Sequence, residues 1–361
     1  MKKISRREFM AVAGSACIYS MITPQARAII DDRKNVQLFA SAYMDDSRRF
    51  GVVIMEDNGR VISKHLLPGR GHGMTFNNHT GQLISFSRRP GNFAMAFNMY
   101  TRTPPVLFQT PSYTHFYGHG TFSKDGRLLF ATENDFHSGD GVIGVYDATN
   151  EFVRINEFPS HGIGPHEIIM MHDGYTLCIA NGGILTHPDT GRTKLNLHEM
   201  QSSVAFIDSR YGDLISIFDV PVQRLSLRHM VVDCNNLVWV GGQYEGDIYD
   251  IVPLIATIDV EDGITFVSVD SFPVGSLSNY IGSIASSSDG TQVAVSSPKG
   301  NTLLIFDVVS QSILSMRTIK EVCGVSATND NSFMTTSMSG ITDGDSSSFL
   351  YFDNHITSIH S

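Results

Sequence analysis

Gly71-His72-Gly73 is the first copy of a phrase that recurs as Gly118-His119-Gly120, Pro165-His166-Glu167 and Arg228-His229-Met230. After each copy come an apolar run, a polar turn, a second apolar run and a polar patch. Two later copies keep this frame without the histidine, at residues 282–284 and 324–326. A repeat of about 40 to 60 residues is typical of solenoids, propellers and other arrays.

Each repeat is predicted to contain four short strands. Residues 119–134 show the first two, joined by the turn Lys124-Asp125-Gly126-Arg127, and Asp-Gly between apolar runs is a strong hairpin signal. The third strand is predicted where an apolar run is closed by an acidic or amide residue. Seven copies of this tag occur, the first two being weaker: Met55-Glu56-Asp57, Ala96-Phe97-Asn98, Val145-Tyr146-Asp147, Phe206-Ile207-Asp208, Thr257-Ile258-Asp259, Ile305-Phe306-Asp307 and Tyr351-Phe352-Asp353.

Seven units of four antiparallel strands predict an all-β fold, a seven-bladed β-propeller of the YVTN/WD40-like type. Closure of the ring hides the sheet edges that an open sheet would expose. The first unit, about residues 36–66, shows only three clear strands, so we expect an N-terminal strand to pair with the last blade. An open β-solenoid or two sandwiches are alternatives, but neither predicts the four-strand register.

The N-terminus has the composition of an export signal. Ser5-Arg6-Arg7-Glu8-Phe9-Met10 matches a twin-arginine pattern, an apolar run too short to span a membrane follows, and Ala26-Arg27-Ala28 fits a cleavage site. The expected organisation is a signal peptide at 1–28 and a single propeller domain at 29–361, located in the periplasm without a stable membrane span. A general secretory signal is the alternative; a lipoprotein site at Cys17 fits less well.

Charge and cysteine content exclude some classes of protein. The 361-residue chain has a net charge of −10, and removal of residues 1–28 takes away five basic residues and one acidic residue, which gives −14. Such acidity argues against nucleic acid and anionic membranes as partners. Outside the signal, Cys178, Cys234 and Cys323 form no CxxC pair, so they predict buried free thiols or one disulfide.

The repeat register places four histidines at the start of the innermost strand in consecutive blades: His72, His119, His166 and His229. Innermost strands converge on the propeller axis, and neutral imidazole is the commonest transition-metal ligand. The histidines therefore predict a metal site, with iron or copper as candidates. The alternative is structural: each histidine caps its strand by bonding to a neighbouring blade.

The same face is predicted to collect the ends of the second strands and two long loops, at 182–203 and 241–256. Long ordered loops on a rigid scaffold commonly bind ligands. Arg192 and Lys194 could clamp an anion or hold their loop by ion pairs. The candidate ligand-binding residues on this face are Glu133, Asn134, Glu167, Asn181, His187, Asp189, Arg192, Lys194, Arg228 and Gln243.

These motifs together resemble an exported bacterial β-propeller family, the domain-of-unknown-function family 1513. The resemblance covers the whole chain after the signal and is carried by five segments: Gly164-Pro165-His166-Glu167, Asn181-Gly182-Gly183-Ile184 with Thr186-His187-Pro188-Asp189, Gly191-Arg192 with Lys194-Leu195-Asn196-Leu197, Leu227-Arg228-His229, and Gly241-Gly242-Gln243-Tyr244-Glu245-Gly246. It implies a periplasmic seven-bladed propeller and, as partners, imelysin-type proteins and other exported iron-uptake components. It implies no catalytic activity and no ligand residues.

Three functions follow as hypotheses. The first is a periplasmic binding or scaffold protein, accessory to iron or metal acquisition, that binds a metal, a metal complex or a partner protein on its loop-rich face. The second is a metal-dependent redox or hydrolytic enzyme that uses the histidines. The third is an interaction scaffold without a small-molecule site. No nucleophile elbow, P-loop, dinucleotide-binding fingerprint or haem-attachment motif marks an enzyme.

Overall fold

The structure is a computed structural model that describes residues 36–101, 103–191, 193–268, 273, 275–338, 340–341 and 350–359. The predicted signal peptide, 1–28, lies outside the described residues. Within the described residues, strands alternate with turns and with longer loops after β13 and β17, and one turn of 3-10 helix occurs at Pro188–Thr190.

Antiparallel sheets are arranged around an axis, each running outward from an innermost strand. Blade 1 runs outward from β27 (Leu350–Ile359) through β1 (Leu38–Asp45) and β2 (Phe50–Glu56) to β3 (Val61–Leu66). In the same direction, blade 2 contains β4 (Gly71–Asn77), β5 (Gln82–Ser87), β6 (Phe93–Asn98) and β7 (Val106–Gln109). Blade 3 contains β8 (Thr114–Phe122), β9 (Leu128–Asp135), β10 (Gly141–Asp147) and β11 (Val153–Pro159).

The remaining sheets continue in chain order. Blade 4 contains β12 (Pro165–Met170), β13 (Thr176–Asn181), β14 (Ser203–Asp208) and β15 (Leu214–Asp219). Blade 5 contains β16 (Leu225–Val232), β17 (Val238–Tyr244), β18 (Ile255–Asp259) and β19 (Gly263–Phe266). Blade 6 contains β20 (Ser283–Ser286), β21 (Gln292–Ser297), β22 (Thr302–Asp307) and β23 (Ile313–Thr318). A last sheet contains β24 (Val322–Ala327), β25 (Phe333–Ser337) and β26 (Gly340–Ile341).

The all-β propeller with four-stranded antiparallel blades is confirmed, but the prediction of seven such blades is wrong. The described residues form six four-stranded blades, and the remaining sheet has three strands. The error comes from the seventh copy of the third-strand tag. Tyr351-Phe352-Asp353 lies in β27, the innermost strand of blade 1, whereas the other six tags lie on third strands.

The two ends of the chain pair and close the ring, but the C-terminal strand joins the first blade, whereas we expected an N-terminal strand to join the last blade. β27 pairs antiparallel with β1, from Leu38 opposite Ile359 to Asp45 opposite Leu350. Strand β27 also packs against β4 on one side and β24 on the other. The C-terminal strand therefore becomes an innermost strand and brings its own side chains to the axis.

Apolar side chains fill the space between neighbouring blades. The largest cluster joins blades 4, 5 and 6, where Trp239 packs on Phe306 with ring centroids 5.5 Å apart. The indole Nε1 of Trp239 donates to Oδ2 of Asp233 at 3.0 Å, so its polar edge is satisfied inside the core. Packing between blades gives a rigid frame on which the axial side chains are held.

The state of the cysteines and the absence of a long apolar helix complete the description of the fold. All three cysteines of the described residues are free thiols; Cys178 and Cys323 are buried, as expected, whereas Cys234 is exposed. Among the described residues, no helix has the length and apolar character needed to span a membrane.

Candidate metal centre

Five histidine rings, one from each of five innermost strands, pack together at the axis. The four predicted histidines are joined by His355 from β27, and all five are buried. The ring-centroid distances around the cluster are 5.0 Å for His72–His119, 5.0 Å for His119–His166, 4.9 Å for His166–His229, 4.6 Å for His229–His355 and 4.7 Å for His72–His355. We call these five residues the histidine cluster.

A β-bulge lies at or next to each of these histidines. Bulges re-aim a side chain out of the regular alternation and are common beside functional sites. In this propeller they occur where imidazoles from different blades pack against one another. The register shifts lie between Gly71 and Met74, between Phe116 and Gly120, between Pro165 and Glu167, between Leu227 and His229, and opposite the interval from Ser41 to Tyr43 in β27.

The glycines of the repeated phrase make room for these rings. A Cβ on Gly73 would lie 2.4 Å from the carbonyl oxygen of Gly118 and 2.8 Å from Nδ1 of His119. Gly118 has a φ of +108°, and a Cβ there would lie 2.6 Å from Cδ2 of His72. Neighbouring innermost strands therefore approach so closely that a side chain at either position would displace a histidine.

Asp353, next to the cluster on β27, holds His72. Its Oδ1 lies 2.8 Å from Nδ1 of His72, and its carboxylate also accepts from Arg88 Nη1 at 2.9 Å and from Arg70 Nε at 2.9 Å. Burial would raise the pKa of Asp353, but the hydrogen bond from His72 and the two guanidinium groups hold that pKa far below its usual range. Asp353 is thus a fixed carboxylate, and it leaves Nε2 of His72 free for a metal.

Glu167 holds two histidines of the cluster in the way that Asp353 holds His72. Its Oε1 lies 3.1 Å from Nδ1 of His119, and its Oε2 lies 3.3 Å from Nδ1 of His229. Burial acts to raise the pKa of this carboxyl, yet the two histidines lower it to about 2. Carboxylates that accept from the second ring nitrogen are the common outer partners of metal-binding histidines, because they fix the tautomer and the ring orientation.

Three ring nitrogens of the cluster have no partner among the described residues. Nε2 of His119, Nε2 of His355 and Nδ1 of His166 are all buried without a hydrogen bond. A buried polar atom left unpaired costs about 1–3 kcal/mol, so three in one cluster need a ligand or water. Burial lowers the pKa of His72 to about 3 and also lowers the pKa values of His166, His229 and His355. Neutral imidazole is the form that binds metals.

Two sets of three histidines bring one nitrogen each close enough together to converge on one ion after a small shift. The sets are His72 with His119 and His166, and His119 with His229 and His355; in each, the nitrogens lie within 4.8 Å of one another. Ligand atoms about 2.1 Å from a tetrahedral ion are about 3.4 Å apart, so an inward shift below about 1 Å per ring closes either set. His119 belongs to both.

Cys323 lies near this cluster but belongs to neither of the two sets of possible ligands. It occupies a bulge in β24 that corresponds to the histidine position of other blades. Burial, together with the carboxylate of Asp353, raises the pKa of its thiol to about 12. The thiol is therefore protonated at neutral pH in the absence of metal, and among the described residues the possible ligand sets at the axis contain only histidines.

Among the other predicted site residues, Glu133 lies in a buried network on blade 3. Its Oε1 accepts from the hydroxyl of Tyr146 at 2.5 Å, and its Oε2 accepts from Arg154 at 2.9 Å. Burial raises its pKa, although Arg154 and Tyr146 oppose that rise. All these partners belong to strands of the same blade, so Glu133 ties its sheet together.

The predicted amides lie at strand ends and in backbone contacts. Asn181 donates to the carbonyl of Ser160 at 2.8 Å, and Gln243 donates to that of Ile281 at 3.2 Å. Asn134 is fully buried, and both of its amide atoms lack a partner among the described residues.

The long loops bring only some of their predicted residues toward the axis. His187 accepts from the backbone N–H of Asp189 at 3.2 Å, and the side chain of Asp189 is 91% exposed. Lys194 forms an ion pair with Glu245 of the second loop, and Glu245 lies 3.8 Å from Arg228, the neighbour of His229. Arg192 lies outside the described residues.

Sequence reasoning missed His355 and Asp353. Tyr351-Phe352-Asp353 has the pattern of a third strand, and a third strand would place these residues away from the axis. The three-stranded first unit was the available signal: if the C-terminal strand supplies its missing innermost strand, His355 falls in register with the other four histidines.

Comparison with known proteins settles the family. Residues 65–359 match the model of the family described as protein of unknown function (DUF1513). The chain belongs to this family. No curated protein sequence matches it significantly. The family membership expected from the motifs is confirmed, and a DUF1513 propeller fits a binding or scaffold role.

Solved structures share the fold of this DUF1513 chain at low identity. Hydrazine synthase of Kuenenia stuttgartiensis is 13% identical, with 88% of this chain and 94% of that chain covered and a TM-score of 0.59. The β-propeller domain of Cps50 (Swd1) of Myceliophteria thermophila is 12% identical, with 87% and 92% covered and a TM-score of 0.57. At such identities the likeness concerns the propeller fold alone.

Proposed function

We propose that this protein is a metal-binding propeller whose histidine cluster holds one divalent transition-metal ion at the axis. One observation carries the proposal: five buried imidazoles pack together, three of their ring nitrogens have no partner among the described residues, and Glu167 and Asp353 accept from Nδ1 of His119, His229 and His72. A carboxylate on Nδ1 leaves Nε2 of the same ring as the nitrogen for a metal, as is common among metal-binding histidines.

The donor set indicates which metals to test. Imidazole suits Zn²⁺, Cu²⁺, Fe²⁺ and Ni²⁺, whereas Mg²⁺ and Ca²⁺ prefer oxygen donors. For a given nitrogen site, affinity rises from Fe²⁺ to Cu²⁺ and falls again at Zn²⁺. We therefore expect Cu²⁺ to bind most tightly, with iron as a weaker candidate whose occupancy depends on supply.

The biological role that we propose is accessory to metal acquisition. Five buried histidines with two outer carboxylates make an enclosed site, which favours retention of an ion over turnover. We propose further that the protein works in the periplasm after twin-arginine export and meets partners of an iron-uptake system there. Replacement of Arg6 and Arg7 by Lys, followed by cell fractionation, tests the export route: a periplasmic pool that persists unchanged contradicts it.

Metal stoichiometry tests the site directly. Untagged protein is stripped with a chelator, dialysed against Cu²⁺, Zn²⁺ or Fe²⁺ in turn, and its metal content is measured by mass spectrometry. We expect about one ion per chain, and at least a tenfold weaker affinity in His119→Ala, because His119 belongs to both sets of ligands.

His79→Ala is the matched control. His79 is an exposed histidine on the turn of blade 2, the blade that carries His72. Equal loss of metal from both variants, or a wild-type chain that retains no metal after dialysis, contradicts the proposal.

A further inference from the structure

The loop that joins β17 to β18 in blade 5 exposes three large apolar side chains within four positions. Ile248 is 77% exposed, Tyr249 86% and Ile251 61%. Two other large apolar side chains of the described residues are as exposed, Tyr211 and Val309, and each stands alone on its own turn. Single exposed apolar residues are normal, whereas several together indicate an interaction site. We call Ile248, Tyr249 and Ile251 the apolar patch.

Hydrogen bonds order the loop that carries the apolar patch. Nδ2 of Asn279 lies 3.2–3.4 Å from three backbone carbonyl oxygens of the loop, those of Asp247, Ile248 and Asp250. Oδ1 of Asp247 accepts from the backbone N–H of Tyr249 at 2.9 Å. A loop that is ordered before binding loses less conformational entropy when it binds. These contacts therefore prepare the apolar patch for a partner.

The apolar patch lies at the end of the propeller where the innermost strands begin. Tyr244, the last residue of β17, is opposite Leu225, the first residue of β16. The next residue, Glu245, lies 3.8 Å from Arg228 and forms an ion pair with Lys194 in the long loop of blade 4. A partner bound to the patch would thus contact the loop-rich face.

The charge around the apolar patch selects the partner. Asp247 and Asp250 lie on either side of Tyr249 in the sequence, and residues 245–253 contain no lysine or arginine. A second copy of the chain, which has 36 acidic and 26 basic residues, would place like charges together. An anionic membrane surface would repel the same carboxylates. The charges therefore favour a basic protein surface.

We propose that Ile248, Tyr249 and Ile251 form the docking surface for a partner protein whose apolar pocket is bordered by lysine or arginine side chains. The apolar patch fills the pocket, with Tyr249 as the residue that contributes most, because tyrosine is enriched among the residues that dominate binding energy. Asp247 and Asp250 steer the basic border toward the loop. The inference rests on the proposed function only in that it assigns a surface to the partner of a metal-acquisition protein.

Site-specific photo-crosslinking in the cells that make the full chain tests this contact. A benzophenone amino acid replaces Tyr249, and the same replacement of Tyr211 is the matched control, because Tyr211 lies on the turn between β14 and β15 at the opposite end of its blade. We expect an adduct with another protein from position 249 only, at a peptide that contains lysine or arginine. The absence of an adduct, the same adduct from both positions, or an adduct with lipid or with a second copy of the chain contradicts the proposal.

The affinity of the crosslinked protein, purified and measured by surface plasmon resonance, decides whether the contact is specific. Tyr249→Ser and Ile248→Ser should each weaken binding by about tenfold or more, and Tyr211→Ser should not. Asp250→Asn keeps an acceptor for the hydroxyl of Tyr244, which donates to Asp250 at 2.8 Å, so it removes only the charge. It should slow association and reduce its dependence on salt. Equal affinities of wild type and Tyr249→Ser contradict the docking surface, as does association that does not respond to salt.

Thermal unfolding and metal content separate this result from the proposed function. The substituted apolar side chains are exposed, so the variants should melt at the wild-type temperature, and lost binding then reports the contact itself. Tyr249→Ser should retain the wild-type metal content. Loss of metal in Tyr249→Ser would assign the loop to the metal site and contradict a docking surface. A wild-type chain that retains no metal contradicts the proposed function and not the crosslinking result.

Discussion

Nδ1 of His72 lies 2.8 Å from Oδ1 of Asp353, although 281 positions separate the two residues in the chain. The contact exists because β27, the last strand of the chain, is the innermost strand of blade 1. In that position it packs against β4, the strand that contains His72. The strand that closes the ring therefore also brings Asp353 to the candidate metal site.

Asp353→Asn tests the outer carboxylate. The amide keeps the shape but removes the charge that fixes the tautomer of His72 and that balances Arg88 and Arg70. We expect metal affinity to fall by about 10–100-fold, measured by competition with a coloured chelator. Asp57→Asn, an exposed change on a turn of blade 1, is the control. Identical affinities in wild type and Asp353→Asn would show that the contact is structural only.

Glu167→Gln probes the carboxylate that bridges two histidines. A glutamine has one acceptor oxygen and one amide donor, so it can accept from His119 or from His229 but not from both. The expected result is again a loss of about 10–100-fold in metal affinity. Glu157→Gln, at an exposed position of β11, should leave affinity unchanged. Wild-type metal binding by Glu167→Gln would contradict a role for this carboxylate in the site.

Acid should destabilise the metal-free protein. The direction of this pH effect follows from the lowered pKa values of its buried groups. Burial lowers the pKa of His72 to about 3 and lowers those of His166 and His355. The unfolded chain, with histidine pKa values near 6.5, therefore binds more protons than the folded chain as pH falls below about 6.5. Glu167 and Asp353 act in the same direction below about pH 4.5, because their pKa values are lowered too.

The free energy of unfolding should thus decrease from neutral pH downward, by up to about 1.4 kcal/mol per pH unit for each such histidine. Urea unfolding of chelator-treated protein between neutral pH and about pH 5 measures this slope. His166→Gln should make the slope shallower, and His79→Gln should not. A stability that stays constant over this range contradicts the burial of neutral imidazoles.

Arg154→Met tests whether the buried ion pair between Arg154 and Glu133 stabilises the fold without contributing to the metal site. The substitution leaves Glu133, which is fully buried, without its guanidinium partner. Breaking a buried ion pair in this way costs about 3–5 kcal/mol at neutral pH, whereas Glu157→Gln, at the exposed partner of Arg154, should cost less than about 1 kcal/mol. Metal content should stay at the wild-type value. Loss of metal in Arg154→Met would place Glu133 in the site.

Much of this architecture was predictable, since the strand period, the turns and the inward histidines are local patterns. Blade number was not, because Tyr351-Phe352-Asp353 has the local pattern of a third strand, and only the global closure of the ring assigns it to an innermost one. The same long-range pairing concealed His355. Glu167 and Arg228 were found because each is adjacent to a histidine of the repeat, whereas the structural partners of Glu133 depend on cross-strand contacts that composition does not specify.

Anomalous diffraction from a crystal of the full chain grown with Cu²⁺ or Zn²⁺ would locate the ion itself. We expect one strong metal peak at the axis, about 2.0–2.1 Å from nitrogens of at least three of His72, His119, His166, His229 and His355. A map without anomalous density among these five rings, collected from protein soaked in excess metal, would contradict a metal site in the histidine cluster.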